Sequence, residues 1–462
     1  MTSLPDDLIG LVSSYLSCVD KVHLFQCSHS LLCDSAACLL SDGFDRTFRM
    51  SALKSRMENL DKLSSLSVSS FVPSFISGVR SVSWDSDCEL ATGEFPPLMT
   101  ELWLVQSFNK PIPVGFLPVS LSHLYVGVWF NQPLTAGVLP VSLVHLDLGE
   151  DFNQPLEVGV LSGSLTHLTL SARFDQPLAI GVLPASLTHL ILSEDFNQPL
   201  AVGTLPESLT HLTFSDRFNQ PLAVGVLPVS LLELRLGEDY DQPLSVGVLP
   251  ASVTHLWFST WFNQSLAVGV LPVSLRELQF YDHFNQPLHP GVLPDALTHL
   301  WFGEDFNQVL DVGVLPASLV HLTFGDRFNQ PLAVGVLPVS LTDLKFGYFF
   351  SQPLAVGALP ASLIDLEFGW NFDQPLTVGV LPASMTHLIF GNRFDQHLAV
   401  GVLPASLIFL KFGTEFSMFL DTGVLPTSLR YLELGDKYRH RLCMHDLRSL
   451  HTLIWGHRRL GL

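Results

Sequence analysis

The stretch "HLTFSDRFNQPLAVGVLPVS" runs from His211 to Ser230, and the chain reads "HLTFGDRFNQPLAVGVLPVS" again from His321 to Ser340. Both copies belong to a longer series in which an aromatic residue, usually followed by Asn or Asp and then by Gln-Pro-Leu, recurs every 22 residues without insertion or deletion. A fixed period of this length predicts a solenoid of stacked coils. The aromatic landmarks are Phe108, Phe130, Phe152, Phe174, Phe196, Phe218, Tyr240, Phe262, Phe284, Phe306, Phe328, Phe350, Phe372, Phe394, Phe416 and Tyr438.

Each repeat contains one short segment with the period of a β-strand. In "THLIL", residues 188–192, Leu190 and Leu192 are the apolar positions of a two-residue alternation, which indicates a strand with one buried face. Pro184 and Gly181 exclude a long helix on the return path, so turns or extended segments are expected there. The predicted fold is therefore a repeat solenoid with one parallel β-sheet built from 22-residue coils.

The residues that recur in every coil are predicted to build the frame. A glycine recurs in all fifteen coils, from Gly115 to Gly423, as expected where the backbone needs a positive φ or lacks room for a side chain. Asn153 and its equivalents are expected to hydrogen-bond turn backbone groups in their own and neighbouring coils. Phe152 and the other landmark aromatics are expected to stack in the coil interior.

These motifs resemble a known repeat. The 22-residue period, the signature "FNQPL" and the preceding "SLTHLxFG" are similar to the FNIP repeat, a relative of the leucine-rich repeat found in social amoebae and in giant viruses of amoebae. The resemblance covers residues 95–437 and implies a leucine-rich-repeat-like solenoid. The Asn lies two places later than in the leucine-rich-repeat consensus, so the turn geometry is expected to differ.

The residues that change from coil to coil are the candidate binding surface. Both the residue between the two buried strand positions and the tripeptide before the aromatic vary along the array. Tryptophan, tyrosine and arginine dominate the energetics of protein interfaces, so exposed side chains of these types predict a face that binds a target protein. Drift after recent duplication is the alternative explanation. The candidate contact residues are Tyr125, Arg235, Trp257, Trp261, Trp301, Lys345, Tyr348 and Trp370.

A second column on the predicted strands is rich in histidine. Metal chelation and a pH-dependent charge are both conceivable for such a column, and a hydrogen-bonded polar stack produced by duplication is the favoured interpretation. The column contains His123, His145, His167, His189, His211, His255, His299, His321 and His387, with Glu233, Glu277, Asp343 and Asp365 at the same position in four other coils.

Composition excludes several function classes. Apolar residues make up 47% of the 462 residues, but no apolar run approaches the roughly 18 residues of a membrane-spanning helix. A formal charge of −20 argues against nucleic acid as a partner. The sequence has no phosphate loop, nucleophile elbow or unrepeated acid/base pair, so neither an enzyme nor a cofactor is expected. The N-terminus lacks a secretory signal, and the six cysteines are expected to be free thiols in an intracellular, cytoplasmic monomer.

The first 45 residues do not follow the repeat. "LPDDLIGLVSSYL" places its apolar residues on one face of a predicted helix, and two further short helices are expected. The segment resembles the F-box through Leu4, Pro5, Leu8, Ile9, Val12, Tyr15, Leu16, Asp20, Leu24 and Cys27. This resemblance implies a small all-α module that docks on a Skp1-like adaptor through Leu4, Pro5, Leu8, Ile9, Val12, Tyr15, Leu16 and Leu24. The alternative is a helical cap on the first coil.

The predicted order of segments suggests a function. Residues 46–94 are expected to form a linker and a degenerate coil, residues 95–437 the repeats, and residues 438–462 a basic C-terminal cap. A docking module joined to a variable solenoid is similar to an F-box substrate receptor of a Skp1–cullin-type ubiquitin ligase, which acts by proximity. The rival hypothesis is a protein-binding scaffold or decoy whose N-terminal helices only cap the solenoid.

Overall fold

One short β-strand per coil is the only regular element that the computed structural model shows in the residues it describes. These residues are 65–68, 80–84, 95, 98–104, 108–442, 449–456 and 458–461. The F-box-like module predicted at residues 1–45, with all of its Skp1-contact residues, lies outside them. The described part of the chain contains no helix long and apolar enough to cross a membrane.

The chain divides into two compact units, Met1–Asp216 and Arg217–Leu462. In the first unit, successive strands pair in chain order and every pairing is parallel. The strands of this unit are β1 (Ser65–Val68), β2 (Ser81–Trp84), β3 (Glu101–Leu104), β4 (His123–Val126), β5 (His145–Asp147), β6 (His167–Thr169), β7 (His189–Ile191) and β8 (His211–Thr213).

The second unit has the same order and adds one reversal at its end. Its strands pair in parallel from β9 to β19, and β20 then turns back to pair antiparallel with β19. The strands of this unit are β9 (Glu233–Arg235), β10 (His255–Trp257), β11 (Glu277–Gln279), β12 (His299–Trp301), β13 (His321–Thr323), β14 (Asp343–Lys345), β15 (Asp365–Glu367), β16 (His387–Ile389), β17 (Phe409–Lys411), β18 (Tyr431–Leu434), β19 (Thr452–Trp455) and β20 (Arg458–Gly461).

The pairing register confirms the 22-residue coil. Leu190 pairs with Leu212, and the same offset of 22 holds for every described parallel pair from β3 to β8 and from β9 to β18. The offset differs at the outer parallel pairs, where Ser65 pairs with Ser81, Ser81 with Glu101 and Tyr431 with Thr452. Each unit is thus a parallel β-solenoid of the leucine-rich-repeat type, with turns on its return path.

The landmark aromatics form a buried stack in each unit, as predicted. Phe152 and Phe174 are fully buried, and their ring centroids lie 6.2 Å apart with nearly parallel planes. In the second unit a further column of phenylalanines packs against this stack. The ring centroids of Phe302 and Phe306, for example, are 3.8 Å apart. This second column was not predicted from the sequence, and it contains Phe258, Phe280, Phe302, Phe324, Phe346, Phe368, Phe390 and Phe412.

Side-chain hydrogen bonds link each coil to the next. The Asn131 Oδ1 accepts the backbone N–H of Asn153 at 3.0 Å and the Nε2 of Gln154 at 2.9 Å, and equivalent pairs recur along both units. This explains the pair Asn-Gln in the signature, because the first residue accepts from both residues of the following coil. The recurring glycine has a positive φ, 86° at Gly181, as predicted.

Candidate target-binding surface

The strand alternation sets two columns side by side on the outward face. In each three-residue strand the central leucine is buried, whereas the residues before and after it are half-buried or exposed. The histidine column therefore lies on the same face as the variable column. The side chains on this face are held by the sheet backbone, so their spacing follows the strand spacing of about 4.8 Å.

Aromatic and charged side chains of the second unit contact one another across this face. The Cζ of Arg235 lies 4.2 Å from the ring centroid of Trp257, a cation–π contact. The rings of His299 and Trp301 lie 5.8 Å apart. Farther along the column, the Nζ of Lys345 lies 3.0 Å from a carboxylate oxygen of Glu367. Trp257 and Trp301 are half-buried, which corrects the expectation that they are exposed, and each ring lies beside its histidine neighbour.

The turn that follows each strand adds a second aromatic group to the second unit. Trp261 is 53% exposed and stacks on His283, with ring centroids 4.1 Å apart. Tyr348 stacks on Trp370, with ring centroids 5.6 Å apart. The exposed Phe349 packs edge-on against Tyr348. Trp261, Tyr348 and Trp370 were predicted from the sequence. Phe349 and His283 were not, although both belong to the varying tripeptide.

Tyr125 lies in the first unit, apart in sequence from the other seven candidate residues. Its ring stacks on Trp103 at 3.7 Å, and the indole N–H of Trp103 donates to Glu101 at 2.7 Å. Burial raises the pKa of Tyr125, and the nearby carboxylates of Glu101 and Asp147 add to this effect. Trp103 was not among the predicted contact residues because it precedes the first full repeat.

The histidines of the first unit form a continuous stack. Ring centroids are 5.7 Å apart between His123 and His145, and 4.2 Å apart between His167 and His189. The hydroxyl of Thr166 donates to the carbonyl oxygen of Val144 and lies 2.8 Å from the Nδ1 of His167. A hydroxyl has one proton, so when Thr166 donates to Val144 its oxygen can accept from the Nδ1–H tautomer of His167.

This stack favours neutral histidine. Burial lowers the pKa of His145, and the neighbouring His167 and His123 lower it further against the opposing charge of Asp147. Burial also lowers the pKa of His167, together with His123 and His211. The parallel rings do not converge on one point, and the described residues contain no group of three or more His, Cys, Asp or Glu side chains that could hold a metal ion.

In the second unit, acidic residues interrupt the histidine column. Ring nitrogens of His321 and His387 lie 3.2 Å from Asp343 and 2.9 Å from Asp365, respectively. The pKa of Asp365 is raised, chiefly by burial, even though His387 opposes the shift. Burial and the neighbouring His321 lower the pKa of His299. The column therefore has a different charge pattern in each unit.

We expect the first-unit stack to make stability depend on pH. Since folding lowers the pKa of His145 and His167 from 6.5, the unfolded chain binds protons more readily, and stability should fall as the pH decreases from 6.5 through the lowered folded values. The pair of substitutions His145→Gln and His167→Gln should reduce the loss of melting temperature between pH 7.5 and 5.5 by a few °C. Melting curves of both proteins test this, and an equal loss in both would contradict it.

The comparisons with known proteins support this architecture. The sequence profile described as FNIP Repeat matches residues 108–151, 152–195, 196–239, 218–260, 262–305, 306–349, 350–393 and 394–437. Among solved structures, CroV588, described as a novel circular LRR protein structure, has a TM-score of 0.78 and 38% identity. That similarity covers 87% of this chain and 64% of CroV588, so the chain spans less than two thirds of that protein's length.

Two more distant structures share the fold. The TLR13–ssRNA13 complex contains a chain with a TM-score of 0.52 and 16% identity, over 85% of this chain and 62% of that one. The Toll–Spatzle complex of Drosophila contains a chain with a TM-score of 0.51 and 15% identity. That similarity covers 82% of this chain and 55% of the other. No curated protein matches this chain.

Leucine-rich-repeat-like solenoids are typically non-enzymatic scaffolds that present an extended binding surface to protein partners. The comparisons indicate no catalytic family for this chain. The FNIP Repeat profile matches in eight segments between residues 108 and 437, and the structure shows a 22-residue coil throughout that range. The chain therefore belongs to the FNIP repeat family.

Proposed function

We propose that the chain is a non-catalytic substrate receptor whose repeats hold a target protein on the outward face of the second unit. The observation that supports this is the set of aromatic and charged side chains that a constant frame presents there. Arg235, Trp257 and Trp301 are held on adjacent or nearby strands, and Trp261 and Tyr348 extend the surface along the turns.

The chemistry of this surface fits a protein with basic or amphipathic contact residues. The exposed acids Glu238, Glu304 and Asp326 lie in the turns beside the aromatic residues. Half-buried tryptophans are restrained before binding, so they lose less conformational entropy than flexible side chains when a partner covers them. Acidic groups around the aromatic residues attract a basic surface and repel an acidic one.

The receptor role also requires a link to a ligase, and the proposal assigns this link to residues 1–45. Their resemblance to the F-box supports docking of a Skp1-like adaptor through Leu8 and Val12. Binding of the target by the repeats would then raise its local concentration at the ligase, and no chemistry in this chain would be needed. A scaffold or decoy that uses the same surface without an adaptor is the alternative.

Paired substitutions test the target-binding surface. We expect Trp257→Ala with Trp301→Ala to reduce recovery of specific partners from an amoeba-cell lysate at least tenfold, since interface tryptophans each contribute about 2 kcal/mol or more. Thr169→Ala with Thr213→Ala is the matched control, because these residues occupy the same strand position in the first unit. Equal recovery by both pairs, with unchanged melting temperatures, would contradict the assignment.

A further inference from the structure

The return path of four coils in the second unit exposes a face without a charged side chain. Each coil contributes five exposed positions, and the twenty residues together are named the valine face. These residues are Pro331, Ala333, Val334, Gly335, Val339, Pro353, Ala355, Val356, Gly357, Ala361, Pro375, Thr377, Val378, Gly379, Ala383, His397, Ala399, Val400, Gly401 and Ala405. His397 is the one titratable member, and it pairs with Asp421 at 3.2 Å.

The same positions carry charge in several other coils of the described chain, although the three coils of residues 221–273 are also free of it. In the first unit they include Glu157 and Glu207, and in the coils that precede the valine face they include Asp295 and Asp311. The coil frame therefore tolerates acidic residues at these positions. A charge-free patch on a protein with a formal charge of −20 is a surface that a second copy can approach with little like-charge repulsion.

The valine face is a series of ridges and grooves with one repeat per coil. A Cβ at Gly357 would lie 3.7 Å from the Cγ1 of Val334, so each valine packs beside the next glycine, which leaves a groove because it has no side chain. Val334, Val356, Val378 and Val400 remain 59% to 61% exposed despite this contact. Ridges and grooves recur at about 4.8 Å, and an identical chain has the same spacing.

We propose that the valine face is the interface of a homodimer. A two-fold axis would place the same patch against itself, so the ridges of one copy would enter the grooves of the other along all four coils. Twenty residues a side lie within the range of about 20–30 found in stable protein interfaces. Contiguous apolar patches of this extent are uncommon on monomers. The proposed dimer replaces the monomer expected from the sequence.

Sedimentation velocity of the full chain tests this interface. We expect the wild-type protein to sediment at twice its 51.0 kDa mass at micromolar concentration. Val356→Asp with Val378→Asp should raise the dissociation constant at least 100-fold and give the monomer mass, because each copy would bury uncompensated charge. Val158→Asp with Val202→Asp is the matched control, since these residues occupy the same coil position in the first unit and are similarly exposed, at 65% and 59%.

The outcomes are decisive provided that the variants fold, which their melting temperatures show. A variant with Val356→Lys and Val378→Lys should also be monomeric, and mixing it with the Asp variant should restore the dimer mass if both are folded. A wild-type protein that remains monomeric at about 100 µM would overturn the proposal, since stable interfaces of this size are far stronger. A dimer that survives the Asp substitutions, or one that the control pair disrupts, would also overturn it.

Discussion

Replacing Phe306 with alanine is expected to lower the free energy of unfolding of the second unit by about 3–5 kcal/mol. The ring of Phe306 is fully buried between Phe284 and Phe328, at centroid distances of 6.1 and 6.2 Å. Phe302, which belongs to the second phenylalanine column, stacks on Phe306 with a distance of 3.8 Å between the ring centroids. The substitution therefore opens a cavity where two aromatic columns meet, and the fixed spacing of the sheet limits collapse into it.

Urea denaturation followed by tryptophan fluorescence measures this effect, and Tyr240→Phe is its control. Tyr240 occupies the equivalent position in another coil, and its buried hydroxyl has no hydrogen-bond partner among the residues that the structure describes. Removing that hydroxyl keeps the ring and should leave stability equal or slightly higher. A loss below about 1 kcal/mol for Phe306→Ala would show that the stack contributes little.

Gly325→Ala is the second substitution expected to have a large effect, with a loss of about 3 kcal/mol. A Cβ at Gly325 would overlap the carbonyl oxygen of Gly303 in the preceding coil, and a Cβ at Gly347 would overlap that of Gly325. Between Gly303, Gly325 and Gly347 backbone packs directly on backbone, so an added Cβ fits only if one coil shifts away from the next.

Gly313→Ala separates this steric effect from a conformational one. Gly313 has a φ of 87°, but no atom lies within 4 Å of a Cβ built there. Its substitution should cost only about 1–2 kcal/mol, which is the penalty for an L-residue in the left-handed region. Equal melting temperatures for Gly313→Ala and Gly325→Ala would refute the close approach of the coils at Gly325.

Much of the frame was predictable because it depends on residues that recur in every coil. The period gave the strand register, and the recurring aromatic, glycine and asparagine each had a physical role that the structure confirms at Phe152, Gly181 and Asn131. The second phenylalanine column was missed because its position holds leucine in most first-unit coils, as at Leu170 and Leu192, and phenylalanine in most second-unit coils. Periodicity alone does not show which rings meet.

The candidate surface was predictable in composition but not in burial. Alternation places Trp257 and Trp301 on the outward face, and the structure does so. Their half-burial depends on lateral contacts, such as that of Arg235 with Trp257, which run between coils and have no signature in a single repeat. The same limit explains why Trp103 and Phe349, which stack with predicted residues, were missed.

The proposed role as a substrate receptor is tested most directly by the binding of purified Skp1 to the full chain, measured by calorimetry. The account predicts a dissociation constant in the micromolar range or below, lost in Leu8→Asp while the melting temperature of the repeats is unchanged. Absence of binding at tens of micromolar would contradict the receptor role and favour the scaffold alternative.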